Sequence, residues 1–322
     1  MANKDQKIVV IGLPFAGKTT FVAALWDVLG SGEVAGSLQL DHLDGDNHHL
    51  NEIRNRWADC QEIERTKISN ETMVAMWLKD TRSEQVSQLV FTDMSGESFE
   101  QQWTERVCTR EYSQLIDQIT GALLFIHPRH VKEAVLIRDT AAMIRHLPSP
   151  SPTEVTGNDI DAPKFTTRHS ARSTVEATMV PALPTKPSYA STQVQLAELL
   201  QFIRNLRSSQ TDKLRLGVVI SAWDLIEKQS KSEKARPGSW LRQRAPLLDQ
   251  FIRANPESFD YDVFGVSAQG GELEQAEELR RLSYEPSKRI VVVHGAHRSH
   301  DITVPVRWVL GFDSGAPATS AL

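Results

Sequence analysis

The sequence predicts an α/β protein, with a mostly parallel sheet, one antiparallel strand and helices on both faces. Three observations lead there. Short apolar, β-branched runs alternate with longer stretches of helical period along most of the chain. The first run, Lys7-Ile8-Val9-Val10-Ile11, is continuously apolar after its lysine, as suits a strand buried on both faces. Two early runs are separated only by the charged segment Lys79 to Glu84, which reads as a hairpin turn and makes one strand antiparallel.

In order, the strand Lys7 to Ile11 is followed by a glycine-bearing loop and a helix from Thr19 to Leu29, ended by Gly30. Ser31 to Glu71 is polar, with weak helical signal from Leu50 to Glu64. It is long for a connection, and long loops in compact domains are often functional. Thr72 to Leu78 alternates Thr72, Val74, Met76 and Leu78 with Met73, Ala75 and Trp77, and Gln88 to Thr92 is its hairpin partner. Helical pattern over Phe99 to Ile119 precedes the buried strand Gly121 to His127, which ends at Pro128. Helical period resumes over Val131 to Leu147 and over Gln193 to Leu206. Leu214 to Ile220 reads as a strand, Trp240 to Ala254 as a helix, and Tyr261 to Val266 as a strand. Gly271 to Leu282 reads as a charged helix. An extra C-terminal strand, Arg289 to Val293, and a closing helix, Asp301 to Leu310, complete the pattern.

Residues 147–192 break it: 21 of these 46 are Pro, Ser or Thr, with little periodic apolar content. They read as a flexible insertion within a single domain spanning 1–312, and 313–322 as a disordered tail. The whole chain, 322 residues with 40% hydrophobic and 24% charged residues, has an ordinary globular composition that needs no disulfide staple. A net charge of −5 argues against coating nucleic acid through bulk charge. The two cysteines, Cys60 and Cys108, lack metal-ligand spacing to histidines and read as free thiols. No stretch is apolar enough to span a membrane, and nothing behind Met1 to Gln6 resembles a signal peptide, so a cytoplasmic protein is expected. A transmembrane receptor, a disulfide-rich secreted factor and a coiled-coil rod are excluded.

Chemistry concentrates where ligands of such sheets bind, beyond the carboxyl ends of the strands. Gly12-Leu13-Pro14-Phe15-Ala16-Gly17-Lys18-Thr19 satisfies G-x-x-x-x-G-K-[ST] between a strand and a helix. In that context backbone N–H groups cradle phosphate and the helix N-terminus favours negative charge. Lys18 is then placed for the β- and γ-phosphates, Thr19 for Mg²⁺ and Thr20 for the α-phosphate. Further stations follow in order: Asp93-Met94-Ser95-Gly96 after the strand ending at Thr92, Ser221-Ala222-Trp223-Asp224 after Ile220, and Ser267-Ala268-Gln269 after Val266.

This ordered set resembles the P-loop GTPases of the translation-factor-related class, which includes Ras-like and Gα proteins. The core from about Lys7 to Gln269, without the insertion, carries the resemblance. More narrowly, the chain resembles the bacterial double-GTPase family, through Asp93 to Phe99 and the closing Asp301-Ile302-Thr303-Val304-Pro305-Val306-Arg307-Trp308. The resemblance implies the three-layer P-loop GTPase fold, with GTP or GDP and Mg²⁺ bound. It makes Asp93 and Thr19 metal ligands and sets the Gly96 N–H by the γ-phosphate. Asp224 accepts the guanine N1–H and 2-amino donors, and the Ala268 N–H holds guanine O6. Two departures stand out. Where the family has asparagine and lysine this chain has Ser221 and Ala222, so Trp223 or another residue covers the base, unless Trp223 is simply core.

The threonine that senses Mg²⁺ and the γ-phosphate is sought before the second strand; Thr66 fits, with Thr72 as its competitor. Arg65 is placed as a cis arginine finger of the Gα kind, or is a solvated loop residue. Glu97 stands where Ras-like proteins carry the water-orienting glutamine; its charge opposes the γ-phosphate, and it alternatively caps a helix. His48-His49 and His294, His297 and His300 read as loop histidines rather than metal ligands. The resulting expectation is a GTP switch with slow hydrolysis, working in bacterial signalling or conflict with companion proteins as effectors. The alternative is a GTPase-fold interaction protein with weak or lost turnover. An ATPase is disfavoured by Asp224 and Ser267-Ala268.

Overall fold

The computed structural model describes residues 6–34, 38–44, 47–63, 73–92, 102–133, 190–208, 212–229, 235–273, 276–280 and 285–312. The chain divides into two units, and all of these residues belong to the one formed by Met1–Glu133 and Lys186–Leu322. Its strands are β1 (Lys7–Gly12), β2 (Gln39–Asp44), β3 (Met73–Lys79), β4 (Val86–Thr92), β5 (Gly121–Ile126), β6 (Leu214–Ser221), β7 (Phe259–Ser267), β8 (Val291–His294) and β9 (His297–Ser299). They form one sheet in the order β2-β3-β4-β1-β5-β6-β7-β8-β9. The central five, β4, β1, β5, β6 and β7, pair in parallel. The expectation of one antiparallel strand is corrected to two, β3 and β8, each antiparallel to both neighbours. The second arises because the expected last strand, β8, runs antiparallel to β7; it then turns back as a hairpin into β9, giving two C-terminal strands rather than one.

The helices are α1 (Lys18–Ser31), α2 (His48–Ala58), α3 (Arg110–Gln118), α4 (Thr192–Leu206), α5 (Trp223–Gln229), α6 (Pro237–Arg244), α7 (Pro246–Arg253), α8 (Ala276–Arg280) and α9 (Val304–Val309). The pleat of β1 sends alternate residues to opposite faces. Ile8 and Val10 join a buried cluster with Phe21 and Leu25 of α1, Leu50, Ile53 and Trp57 of α2, and Val306 and Val309 of α9. Val9 and Ile11 join a second cluster with Leu115 and Ile116 of α3, Leu199, Leu200 and Ile203 of α4, Leu241 of α6 and Leu248 and Ile252 of α7. Helices therefore cover both faces, which is why the middles of the central strands, such as Ile8–Ile11, Gly121–Ile126 and Leu216–Ile220, are continuously apolar.

Several boundaries move for local physical reasons. Gly30 lies inside α1, and the left-handed residue that ends the helix is Gly32, whose N–H donates to the Val28 carbonyl at 3.2 Å. The stretch read as one helix from Trp240 to Ala254 is two, because Pro246 has no N–H to continue α6 and Ala245 leaves helical geometry. Likewise the helix expected from Phe99 to Ile119 is interrupted at 106–109 and resumes at Arg110, capped by the Thr109 hydroxyl, which accepts from the Tyr112 N–H at 3.2 Å. Ahead of it residues 102–105 are helical, and Arg106 takes a left-handed conformation that breaks the run. Ser191 and Thr192, read as the end of the insertion, cap and begin α4. Residues 131–133 are non-helical; 134–189 and the tail 313–322 lie outside the described residues.

The hairpin between β3 and β4 is anchored to α9 by buried charge. Asp80 Oδ1 stands 2.9 Å from Arg307 Nη1, with both side chains almost wholly buried, and Ser83 donates to Asp80 Oδ2 from its N–H and hydroxyl at 2.8 and 2.7 Å. Burial raises the Asp80 pKa, but the Ser83 bonds and the Arg307 charge outweigh it, leaving the carboxyl below its usual range. Among the described residues no helix is long and apolar enough to cross a membrane.

Candidate functional site

β1, β5, β6 and β7 are adjacent and parallel, so the loops leaving their carboxyl ends meet along one edge of the sheet. The loop after β1 is shaped by two glycines. Gly12 has φ 145°, and a Cβ there would lie 2.8 Å from the Phe125 carbonyl oxygen. Gly17, at φ 88°, caps α1, and a Cβ there would come within 2.9 Å of the Ser221 Cβ. Any larger residue would push the loop off β5 and β6. Between them the Ala16 N–H donates to the Leu13 carbonyl at 3.2 Å. Lys18 is 9% exposed, and its Nζ donates to the carbonyls of Gly12 at 2.8 Å and Leu13 at 3.0 Å. Thr19 and Thr20 are half-buried in the first turn of α1.

At the end of β6, the buried Ser221 hydroxyl donates to the Ile126 carbonyl at 3.3 Å, tying β6 to β5. Ala222 is left-handed at φ 45°, and that single turn starts α5 and places Asp224 in its first turn. Asp224 Oδ1 accepts from the Ser267 hydroxyl at 2.5 Å, while Ser267 Oγ accepts from the Gly270 N–H at 3.2 Å. The ends of β6 and β7 are thereby locked together around one half-buried carboxylate. Trp223 is not available to cover a ligand: its ring is fully buried and packs against the Cα of Gly265, where a Cβ would lie 2.3 Å away. Of the two roles open to Trp223 in the sequence, the core role is the one it has. Ala268 is 8% exposed, and its carbonyl accepts from the Trp57 Nε1–H at 3.0 Å; the Gln269 amide donates to the Trp57 carbonyl at 3.4 Å.

The end of β5 adds a group the sequence reading left out. His127, Arg129 and His130 follow the strand in a single 3-10 turn, Pro128–His130. The His127 Nδ1 accepts from the Arg129 N–H at 3.2 Å, and the His127 and His130 ring centroids are 4.7 Å apart. Burial, with the nearby His130 and Arg129, pushes the His127 pKa down to about 4, against the opposing charge of Asp224. No local signal marks this turn: that it follows a strand neighbouring the phosphate-loop strand is supplied only by the sheet topology.

The structure thus brings together Gly12, Pro14, Phe15, Ala16, Gly17, Lys18, Thr19, Thr20, Ser221, Asp224, Ser267, Ala268 and Gln269 around one edge. Arg65, Thr66, Thr72, Asp93, Gly96 and Glu97 lie outside the described residues. The glycine-lined loop with its inward lysine suits a phosphate chain. For a divalent cation, Thr19 is the one hydroxyl of the expected set that is described. No group of three or more His, Cys, Asp or Glu side chains among the described residues is arranged to hold a metal ion. His294 pairs with Asp262 at 2.6 Å and His300 with the Ile290 carbonyl at 2.6 Å.

Comparison with known proteins gives a family. The model of the family described as Double-GTPase 1 matches residues 9–309. No curated protein matches the chain. Among solved structures, the S. cerevisiae Ski7 GTPase-like domain bound to GTP aligns with a TM-score of 0.43 and 12% identity, over 98% of this chain and 51% of that one. The chain therefore spans about half the length of that structure.

Proposed function

Since the chain belongs to the Double-GTPase 1 family, we propose that it is a GTP-binding switch that hydrolyses GTP to GDP slowly, with Mg²⁺, on a three-layer P-loop GTPase fold. One observation supports this most: the phosphate loop and the carboxylate loop touch. Gly17 lies so close to Ser221 that no Cβ fits between them, and three residues on Asp224 is held by Ser267. A phosphate chain seated at one loop thus has its base at the other.

In this reading Lys18 exchanges the neutral Gly12 and Leu13 carbonyls for anionic phosphate oxygens, so its ammonium gains a charged acceptor. Asp224 selects guanine, because adenine offers no matching pair of donors and leaves the carboxylate unpaired. Thr19, Thr66 and Asp93 are the residues assigned to Mg²⁺, which when bound neutralises charge on the β- and γ-phosphates. Glu97 is assigned the water-orienting position and Arg65 the charge-neutralising one. A glutamate repelled by the γ-phosphate orients water poorly, hence the slow turnover. We assign residues 1–312 to one GTPase domain, with 147–192 as a looped insertion, in a cytoplasmic protein of bacterial signalling or conflict with companion proteins as effectors.

The test is chromatography of the nucleotide released on denaturing the purified protein, followed by phosphate release with and without companion proteins. Released GDP or GTP is the expected result, and ATP or ADP refutes the assignment. Nucleotide binding without phosphate release under either condition would favour the interaction protein, a reading motivated by Ala222 and Glu97.

A further inference from the structure

Ala222 leaves the base reader without the long lysine stem expected beside it, and the burial of Trp223 removes the first substitute. A different set of rings stands at the same edge. Phe15, in the phosphate loop, is left-handed at φ 63° and 63% exposed. Its ring lies 5.8 Å from that of His130, at 34° to it, and His130 in turn lies 4.7 Å from the half-buried His127. The three rings form a ledge running from the phosphate loop toward the end of β6, because β5 lies between β1 and β6 in the sheet.

The ledge is braced from several sides. The Thr192 hydroxyl at the start of α4 donates to the His130 carbonyl at 3.2 Å and accepts from the Lys132 N–H at 2.8 Å. The His130 N–H donates to the His127 carbonyl at 3.0 Å. Arg129 pairs with Glu272, beyond the end of β7, so the turn is linked across the mouth of β6 to the loop that positions Asp224. Depression of the His127 pKa keeps the innermost ring uncharged at neutral pH. Asp224 is near enough to act on it. An aromatic surface fixed in this way loses little freedom when a ligand lies on it.

We infer that Phe15, His130 and His127 hold the nucleoside half of the bound nucleotide, taking over the covering role for which this chain has no lysine. The inference rests on the guanine-nucleotide reading above and deepens it. Lys18 and the loop amides hold phosphate, Asp224 reads the base edge, and the ledge supplies apolar contact to the ribose and base face between them. Such contact is indifferent to base identity, so it sets affinity while Asp224 sets choice.

Isothermal titration of the full chain with GDP and, separately, with inorganic pyrophosphate tests this. Phe15→Ala and His130→Ala should each weaken GDP by about tenfold and leave pyrophosphate unchanged, and His130→Phe should restore GDP affinity. Both alanine variants keep the backbone path, and retained pyrophosphate binding reports an intact loop. GDP affinity unchanged in both alanine variants would overturn the ledge and leave the guanine reading standing. So would parallel loss of GDP and pyrophosphate, which marks a collapsed loop. A parent chain that binds pyrophosphate and neither GDP nor GTP would overturn the guanine reading itself, and the ledge with it.

Discussion

Replacing Asp224 by asparagine alters one atom at a position whose orientation is already fixed. Asp224 Oδ1 accepts from the Ser267 hydroxyl at 2.5 Å. An asparagine keeps that bond only by turning its carbonyl oxygen toward Ser267, so its NH₂ must stand where the second carboxylate oxygen stood. Guanine then presents its N1–H and 2-amino donors to another donor. Hydrogen bonds to a charged partner are worth roughly 1.5–3 kcal/mol each, and the half-buried site leaves the orphaned donors some access to water. The net loss should be about 2–4 kcal/mol, or on the order of 30- to 1000-fold in GTP affinity. Xanthine carries a carbonyl in place of the 2-amino group and supplies the acceptor the amide now needs, so XTP should gain as GTP loses. A competition titration of GTP, XTP and ATP against parent and variant reads both changes at once. Should the parent prefer ATP, or the variant hold GTP unchanged without gaining XTP, Asp224 is not the base reader.

Other expectations follow from the same geometry. Lys18→Ala should abolish tight GTP and GDP binding while the thermal midpoint stays nearly constant, since the side chain donates to the Gly12 and Leu13 carbonyls of its own loop; tight binding by the variant would refute the phosphate-loop assignment. Thr66→Ala should spare GDP and weaken GTP, and equal loss of both in parallel titrations would move the sensor role to Thr72. Asp80→Ala leaves the buried Arg307 charge without its carboxylate and should cost about 3–5 kcal/mol in a urea unfolding titration. The Asp80 carboxyl titrates below its unfolded value, so its contribution is fully present above the ordinary carboxylate range near pH 4 and is lost as pH falls through the folded value. The stability gap between parent and variant should therefore narrow in acid, and a gap independent of pH would assign the loss to packing alone.

Legibility in the sequence tracked burial. β1, β5, β6 and β7 are covered by helices on both sides, so their residues are apolar in unbroken runs that could be read directly. β2 could not: it is an edge strand, Gln39–Asp44, with four of six positions exposed and polar side chains that discourage further pairing. That polarity is the physical reason it passed for loop. α5 was hidden differently, because its seven residues carry the Trp223-Asp224 motif and are too few to show a helical period. The break between α6 and α7 is marked in the sequence by Pro246 alone, with helical apolar spacing continuing on either side of it.

The site divides along the same line between local constraint and topology. Gly12 and Gly17 were legible because the backbone itself demands glycine there, through left-handed φ and contact with Phe125 and Ser221. His127 and His130 make no comparable local demand; a His-Pro-Arg-His run has no meaning until β5 is known to sit between β1 and β6. The contacts of Trp57 are still less local. Its indole N–H reaches the Ala268 carbonyl, its own carbonyl accepts from Arg289 Nη2 at 2.6 Å, and the Arg289 guanidinium lies 4.1 Å from its ring centroid. Arg280 reaches the neighbouring Asp59 carbonyl at 3.2 Å. The last carbonyls of α2, which no residue within the helix can satisfy, are thus taken up by side chains more than two hundred positions away. Trp57, in the last turn of α2, is thereby bonded to the loop after β7 through Ala268 and Gln269. The partners of a helix end cannot be read from the helix itself, and only the folded chain identifies those of α2 as Gln269, Arg280 and Arg289, in and after the loop that follows β7.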